Sequence, residues 1–113
     1  MTRIPAIALR GMTILPGMIA HFDISRDKSI KAVEAAMNDN QRIFLVTQRD
    51  AEVDNPNLED LYEVGINAEI KQVIKLQNNI VRVLAEGQTR AKLSAFGECD
   101  EFLLAEIEGI EER

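Results

Sequence analysis

This chain contains one cysteine, one histidine and no tryptophan, and aromatic residues make up 4% of it. A single Cys99 excludes an internal disulfide framework and agrees with a reducing compartment. One Cys and one His are also too few for a zinc site built from such ligands. With so few aromatics, the core must consist mostly of Ile, Val, Leu, Ala and Met. Long hydrophobic runs are missing as well. The longest uncharged stretch, Gly11 to Phe22, is about half of what spans a bilayer and is broken by Pro16. Met1 to Gly11 lacks the apolar core of an export signal. Neither a G-x-x-x-x-G-K-[ST] phosphate loop nor a G-x-G-x-x-G fingerprint occurs, so no nucleotide site is recognisable. The expectation is a soluble cytoplasmic protein with no membrane span.

What is present fits one globular domain over residues 1–113, with 46% hydrophobic and 28% charged residues. A domain of this size buries enough surface for one core without metal or disulfide support. The net charge of −6 is unevenly placed. Residues 1–97 hold twelve acidic and twelve basic side chains, whereas "ECDEFLLAEIEGIEER" holds seven acids and one Arg. Such an acidic end repels phosphate backbones, and no basic stripe with interleaved aromatics offsets it, so nucleic acid is not an expected partner.

Along the chain, "IPAIALRGMTILPG" reads as extended backbone bending at Gly11 and at Pro16-Gly17. "MIAHFDI" alternates, placing Met18, Ala20, Phe22 and Ile24 on one side and Ile19, His21 and Asp23 on the other. Ser25 reads as the N-cap of a helix through "RDKSIKAVEAAMNDN". Its apolar face is Ile30, Val33, Ala36 and Met37, and its polar face Lys28, Lys31 and Glu34. "RIFLVTQ" is a continuous apolar run, as in a central strand covered on both faces. A polar connection around Asn55-Pro56 follows, with a helical turn at Leu58 to Leu61. "INAEIKQVIKL" places Ala68, Ile70, Ile74 and Leu76 together and leads into the turn residues Gln77-Asn78-Asn79. In "IVRVLAEGQTRAKLSAF", Val81, Val83, Ala85, Thr89, Ala91 and Leu93 share a face, with Gly87 marking a bulge or bend. "EFLLAEIEGI" is a last strand. The fold class is α+β: a small, mostly antiparallel, β-barrel-like sheet of five to seven strands, with one helix between strands 2 and 3.

Catalytic chemistry finds little support. His21 lies within a strand pattern with no local motif and reads as structural or exposed. Cys99 stands in "GECDEF", where neighbouring carboxylates disfavour a thiolate. Asp50, Glu52 and Asp54 alternate faintly like a calcium loop, but Asn55 replaces its turn glycine and Leu61 its closing Glu. A solvated acidic loop is the better reading. No catalytic, cofactor-binding or metal-binding residue is assigned.

"LRGMTILPGMIAHFDISRDKSIKAVEAAM", "RIFLVTQRDAEVDNPNLEDLYEVG" and "IVRVLAEGQTRAKL", in that order, resemble the N-terminal domains of bacterial Lon, the ATP-dependent serine proteases. The similarity covers nearly all of residues 4–105. Its departures, Ala8 in place of a proline, Ile66 after "EVG" and Gln77 after "KL", fall on loops and strand edges. The resemblance implies a fold of the pseudouridine-synthase-and-archaeosine-transglycosylase (PUA-like) type. It further implies a non-catalytic domain that recognises misfolded, damaged or short-lived polypeptides and supports assembly into homohexamers. It places the ATPase, with its ATP and Mg, and the Ser–Lys peptidase outside this chain. A free-standing adaptor of the same fold is the alternative, and the fragment itself is expected to be a monomer or a dimer.

The apolar residues near the start supply the expected contact surface. Gly11 and Pro16-Gly17 interrupt the strand so often that Met12, Leu15, Met18 and Phe22 cannot all turn inward. Those left outside would form a patch for unfolded chains, for which the adaptable thioether of Met is well suited. An edge strand nearby would add backbone hydrogen bonds to an extended segment.

Overall fold

The computed structural model describes residues 2–9, 14–49, 52, 61, 62, 64–96 and 102–109. In chain order the elements are β1 (Thr2–Leu9), β2 (Ile19–Ile24), α1 (Asp27–Met37), β3 (Arg42–Thr47), β4 (Val64–Lys75), β5 (Val81–Phe96) and β6 (Leu103–Gly109). The α+β class, the strand count and the helix between strands 2 and 3 all agree with the expectation from sequence. The helical turn expected at Leu58 to Leu61 lies largely outside the described residues. Leu61 itself is bridged to Gln48 in an antiparallel contact.

The six strands form one sheet in the order β2-β5-β4-β3-β1-β6, and β5 also pairs with β6. Among the described strands only β1 and β3 run parallel, joined by the connection that carries β2 and α1. The sixteen-residue β5 makes this curvature possible. Its first part pairs with β2 and its last part with β6, while β4 lies along its other side. The sheet therefore curls back on itself. With β2 outside the circuit, the body is barrel-like but not a closed barrel.

Two apolar cores result. One joins α1 to Ile7, Leu9, Ile43, Leu45, Ile66, Ile70, Val81 and Val83, with Ile14, Phe22 and Ile24 around them. The other gathers Ile4, Ala6, Phe44, Val46, Leu61, Ala91, Leu93 and Ile107. Alternate residues of β3 serve both, which is why "RIFLVT" is buried without a break from Ile43 to Val46. Each such side chain contributes about 1.5–3 kcal/mol of transfer free energy.

Bulges decide which residues reach which core. Ala68 faces Gly87 while Asn67 faces Thr89, so Gln88 is an extra residue in β5. Val81, Val83 and Ala85 enter the first core, but beyond the bulge Ala91 and Leu93 enter the second. The single shared face expected for β5 is thus divided, and Thr89 is exposed. A second shift, at Lys71, turns Ile74 outward, and Leu76 just past β4 is also exposed, in place of the expected inward pair. Val73, opposite Val83, takes the inward position.

Local signals in the helix and turns fared unevenly. The N-cap of α1 is Arg26, without a side-chain cap, and not Ser25. The helix starts one turn position later than expected, with Asp27 complementing the positive end of its dipole. Its buried stripe is Ser29, Ala32, Val33 and Ala36, so Met37 lies outside and Ile30 at the margin. These small side chains let the helix lie close to β1 and β3. Asn78 and Asn79 both adopt left-handed angles (φ 63° and 61°) in the tight turn that Leu76 N–H closes by donating to the Ile80 carbonyl at 2.8 Å.

Gly87 leaves no room for a side chain. A Cβ placed there would stand 2.5 Å from the Leu15 carbonyl oxygen, a backbone atom that cannot swing away. Gly87→Ala should therefore lower unfolding free energy by about 1–3 kcal/mol, read as a shift of the urea midpoint. An unchanged midpoint would show that the 14–18 segment is not held against β5.

Candidate functional site

Leu15, Pro16, Gly17 and Met18 form a tight reversal: Met18 N–H donates to the Leu15 carbonyl at 3.0 Å, and Gly17 has φ 80°. Proline second and a left-handed glycine third are the requirements of a type II turn. The turn is fastened to β5 by two further bonds. Gly17 N–H donates to the Gly87 carbonyl at 2.8 Å, and Gly87 N–H to the Met18 carbonyl at 2.9 Å. Ile14 is drawn into the first core, whereas Leu15 and Met18 are held outward, 50% and 41% exposed. Ile19, the first residue of β2, is 60% exposed.

Beside this turn a cleft of about 360 Å³ opens between Leu9, Ile14, Leu15, Leu45, Val64 and Ile66, with Thr47, Gly65 and Arg90 completing it. Arg90 reaches this side because the Gln88 bulge reverses the alternation of β5, setting it opposite Ile66. The apolar surface continues onto Val64 and Tyr62, both about half exposed. Tyr62 N–H donates to the Thr47 carbonyl at 3.0 Å, and the Arg49 guanidinium lies 5.1 Å over the Tyr62 ring while its Nε donates to Leu61 O. Ring and cation attract one another at the rim.

Of the four residues expected to form a contact surface, Leu15 and Met18 are exposed. Phe22 is not: it is 7% exposed, turned with Ala20 and Ile24 into the first core by the alternation of β2. Met12 lies outside the described residues, as do Asp50, Asp54 and Cys99. Glu52 is exposed, and so is His21 on the outer face of β2, opposite Leu84. Among the described residues no three His, Cys, Asp or Glu side chains come together as metal ligands. Sequence reading missed Ile19, Tyr62, Val64 and Arg90. The only signal was "DLYEVG", where Tyr62 and Val64 alternate ahead of Gly65.

Polar chemistry lies on the opposite, outer face. Arg82 donates to both carboxylate oxygens of Asp23, at 2.8 and 3.2 Å, and this hydrogen bonding holds the Asp23 carboxyl below its usual range. Lys71 donates to Glu69 at 3.1 Å and Gln88 to its other oxygen, again lowering the carboxyl.

An apolar cleft on the sheet, bordered by a turn bonded to it, is the candidate binding site. The chain belongs to the family of ATP-dependent protease La (LON) substrate-binding domains, whose model matches residues 3–113. It is 50% identical over 105 residues to a Lon protease of Lachnoclostridium phytofermentans, covering 93% of this chain and 13% of that protein. It is 40% identical over 109 residues to Lon protease 1 of Bacillus subtilis, covering 96% and 14%. The chain thus spans about one-seventh of the length of these curated relatives. In fold it is similar to the N-terminal domain of a Mycobacterium avium complex Lon protease, with TM-score 0.77 at 19% identity over 99% of this chain and 56% of that one. A Lon N-terminal domain protein from Xanthomonas campestris gives TM-score 0.74 at 14% identity, over 98% and 61%.

The Asp23–Arg82 pair makes a pH prediction. A carboxyl whose folded pKa lies below its unfolded one adds stability that is fully present above the ordinary carboxylate range. That stability is lost as pH falls through the folded value. Side-chain NMR titration should place the Asp23 midpoint below that of a free aspartate, and Arg82→Gln should move it back up. An Asp23 midpoint indifferent to that substitution would mean the pair does not form in solution.

Proposed function

We propose that this domain captures exposed apolar segments of unfolded polypeptides for a Lon-type protease. The observation that carries this reading is the pinned turn. Two hydrogen bonds to Gly87 hold Leu15 and Met18 outward at the border of an apolar cleft. A surface fixed in this way loses little conformational entropy when a client docks, so more of the contact energy appears as affinity. Selection would follow apolar side-chain size more than sequence, as recognition of misfolded, damaged or short-lived proteins requires. Hydrolysis belongs to the rest of the machine in this reading. The Ser–Lys peptidase, the ATPase with its ATP and Mg, the homohexameric assembly and the cytoplasmic setting are properties of that larger protein. No described helix is long and apolar enough to cross a membrane.

The double variant Leu15→Ser, Met18→Ser should weaken binding to a reduced, carboxymethylated model protein by about tenfold or more in fluorescence anisotropy. Its circular dichroism spectrum and urea midpoint should stay close to wild type, because both side chains are exposed. Unchanged affinity with an intact fold removes the reading.

A further inference from the structure

Among the described residues β2 pairs only with β5, so one side of β2 is an open strand edge. Which of its backbone groups point outward follows from the ladder. Residues of β2 and β5 face one another in pairs such as Ala20 with Ala85 and Phe22 with Val83. Gly87 N–H bonds the Met18 carbonyl, which fixes the hydrogen-bonded phase at that end. Bonded and non-bonded pairs alternate in an antiparallel ladder, so Ala20, Phe22 and Ile24 bond to β5. Ile19, His21 and Asp23 then turn both N–H and C=O to the open side. The other flank of β5 agrees: Ile70, opposite Ala85, sends its N–H to Gln41 on the side away from β5.

We infer that this edge accepts an extended client segment as an added strand, with an apolar client residue beside Ile19 and a Lys or Arg four positions away beside Asp23. The inference rests on the polypeptide-capture reading and adds to it a backbone site and a charge preference. The same three residues that offer backbone groups also carry exposed side chains on the outer face. Ile19 continues the apolar surface of Leu15 and Met18, so a strand laid here meets the apolar border at one end. At the other end stands Asp23. The outward side chains of β2 and the adjoining stretch of β5 include Asp23 and Glu86 against Arg82, an excess of one negative charge, while Glu69, across from Glu86, is paired with Lys71. Opposite charges on facing strands attract and like charges repel, so a basic client residue fits and an acidic one does not.

A second copy of this chain fits the edge less well. Pairing β2 with itself about His21 sets Asp23 against Ile19 of the copy and His21 against His21.

The test uses this chain and a fluorescein-labelled, otherwise Ser/Thr/Val peptide with one Lys four positions from one Leu. His21→Pro removes an outward N–H that the ladder does not use, and proline is tolerated on a strand edge facing solvent. It should weaken peptide binding about tenfold. A peptide N-methylated on alternate residues should lose similar affinity against the unaltered protein, which keeps the test valid if the proline variant misfolds. Replacing the peptide Lys by Glu should weaken binding several-fold, and amide shifts on peptide addition should centre on Ile19, His21 and Asp23. Unaffected binding of the N-methylated peptide overturns the proposal. So does a His21→Pro effect seen only as a dimer becoming a monomer in sedimentation. The Leu15→Ser, Met18→Ser variant separates the two readings. Loss there with no response to N-methylation leaves apolar capture standing and removes strand addition.

Discussion

The close approach of two backbones at Gly87 is the constraint on which the rest depends. Because no side chain stands there, the Leu15–Met18 turn can settle against β5 and exchange hydrogen bonds with it. That contact ends β2, sets the phase of its ladder with β5, draws Ile14 into the core and forces Leu15 and Met18 outward. One residue further on, Gln88 bulges and the alternation of β5 reverses. A single β-strand can then line two different cores and bring Arg90 round to the cleft. Interior close packing and an exposed apolar surface thus share one cause.

The division of labour between the two faces of the sheet follows from that geometry. The cleft lies where β1, β3, β4 and β5 converge beneath the turn, and its walls are mostly apolar, with Thr47 and Arg90 supplying polar groups. The outer face of β2 and β5 offers the reverse: unbonded backbone groups and carboxylates held ionised by their neighbours. In the proposed reading the first surface takes apolar side chains and the second an extended backbone. Leu15, Met18 and Ile19 connect them, so one extended polypeptide spanning both would combine two weak, undemanding interactions into a useful affinity.

Much of the architecture could be read from the chain alone because its cues are local. Alternation in "IAHFDI", the unbroken run of "RIFLV", the paired asparagines of the hairpin and Pro16-Gly17 each specify backbone geometry within a few residues. The segments resembling Lon added the family, which the match over residues 3–113 establishes. The errors have a common source. Ile74, Leu76 and Thr89 were placed by uninterrupted alternation, yet a single inserted residue reverses every side chain beyond it. Lys71 carries no compositional mark of a bulge, and Gly87 marks the one beside it at Gln88 without showing that the alternation beyond reverses. Ser25 is not the cap: α1 starts one position later, with Arg26 at the N-cap. Phe22 and Met18 share one alternating face in the sequence, but the turn ends the strand between them and only Phe22 goes inside.

By itself, then, the sequence determined an α+β strand-rich body with one amphipathic helix, no assembled catalytic chemistry in any recognisable motif, and apolar residues crowded around a Pro-Gly turn. Only the tertiary structure decided which of those residues face solvent, that Val64 and Tyr62 join them, and which edge of the sheet is left open. The physical reason is range. Turn geometry and hydrophobic alternation act over a few residues, whereas exposure, bulge position and an unpaired edge depend on which distant strand arrives alongside.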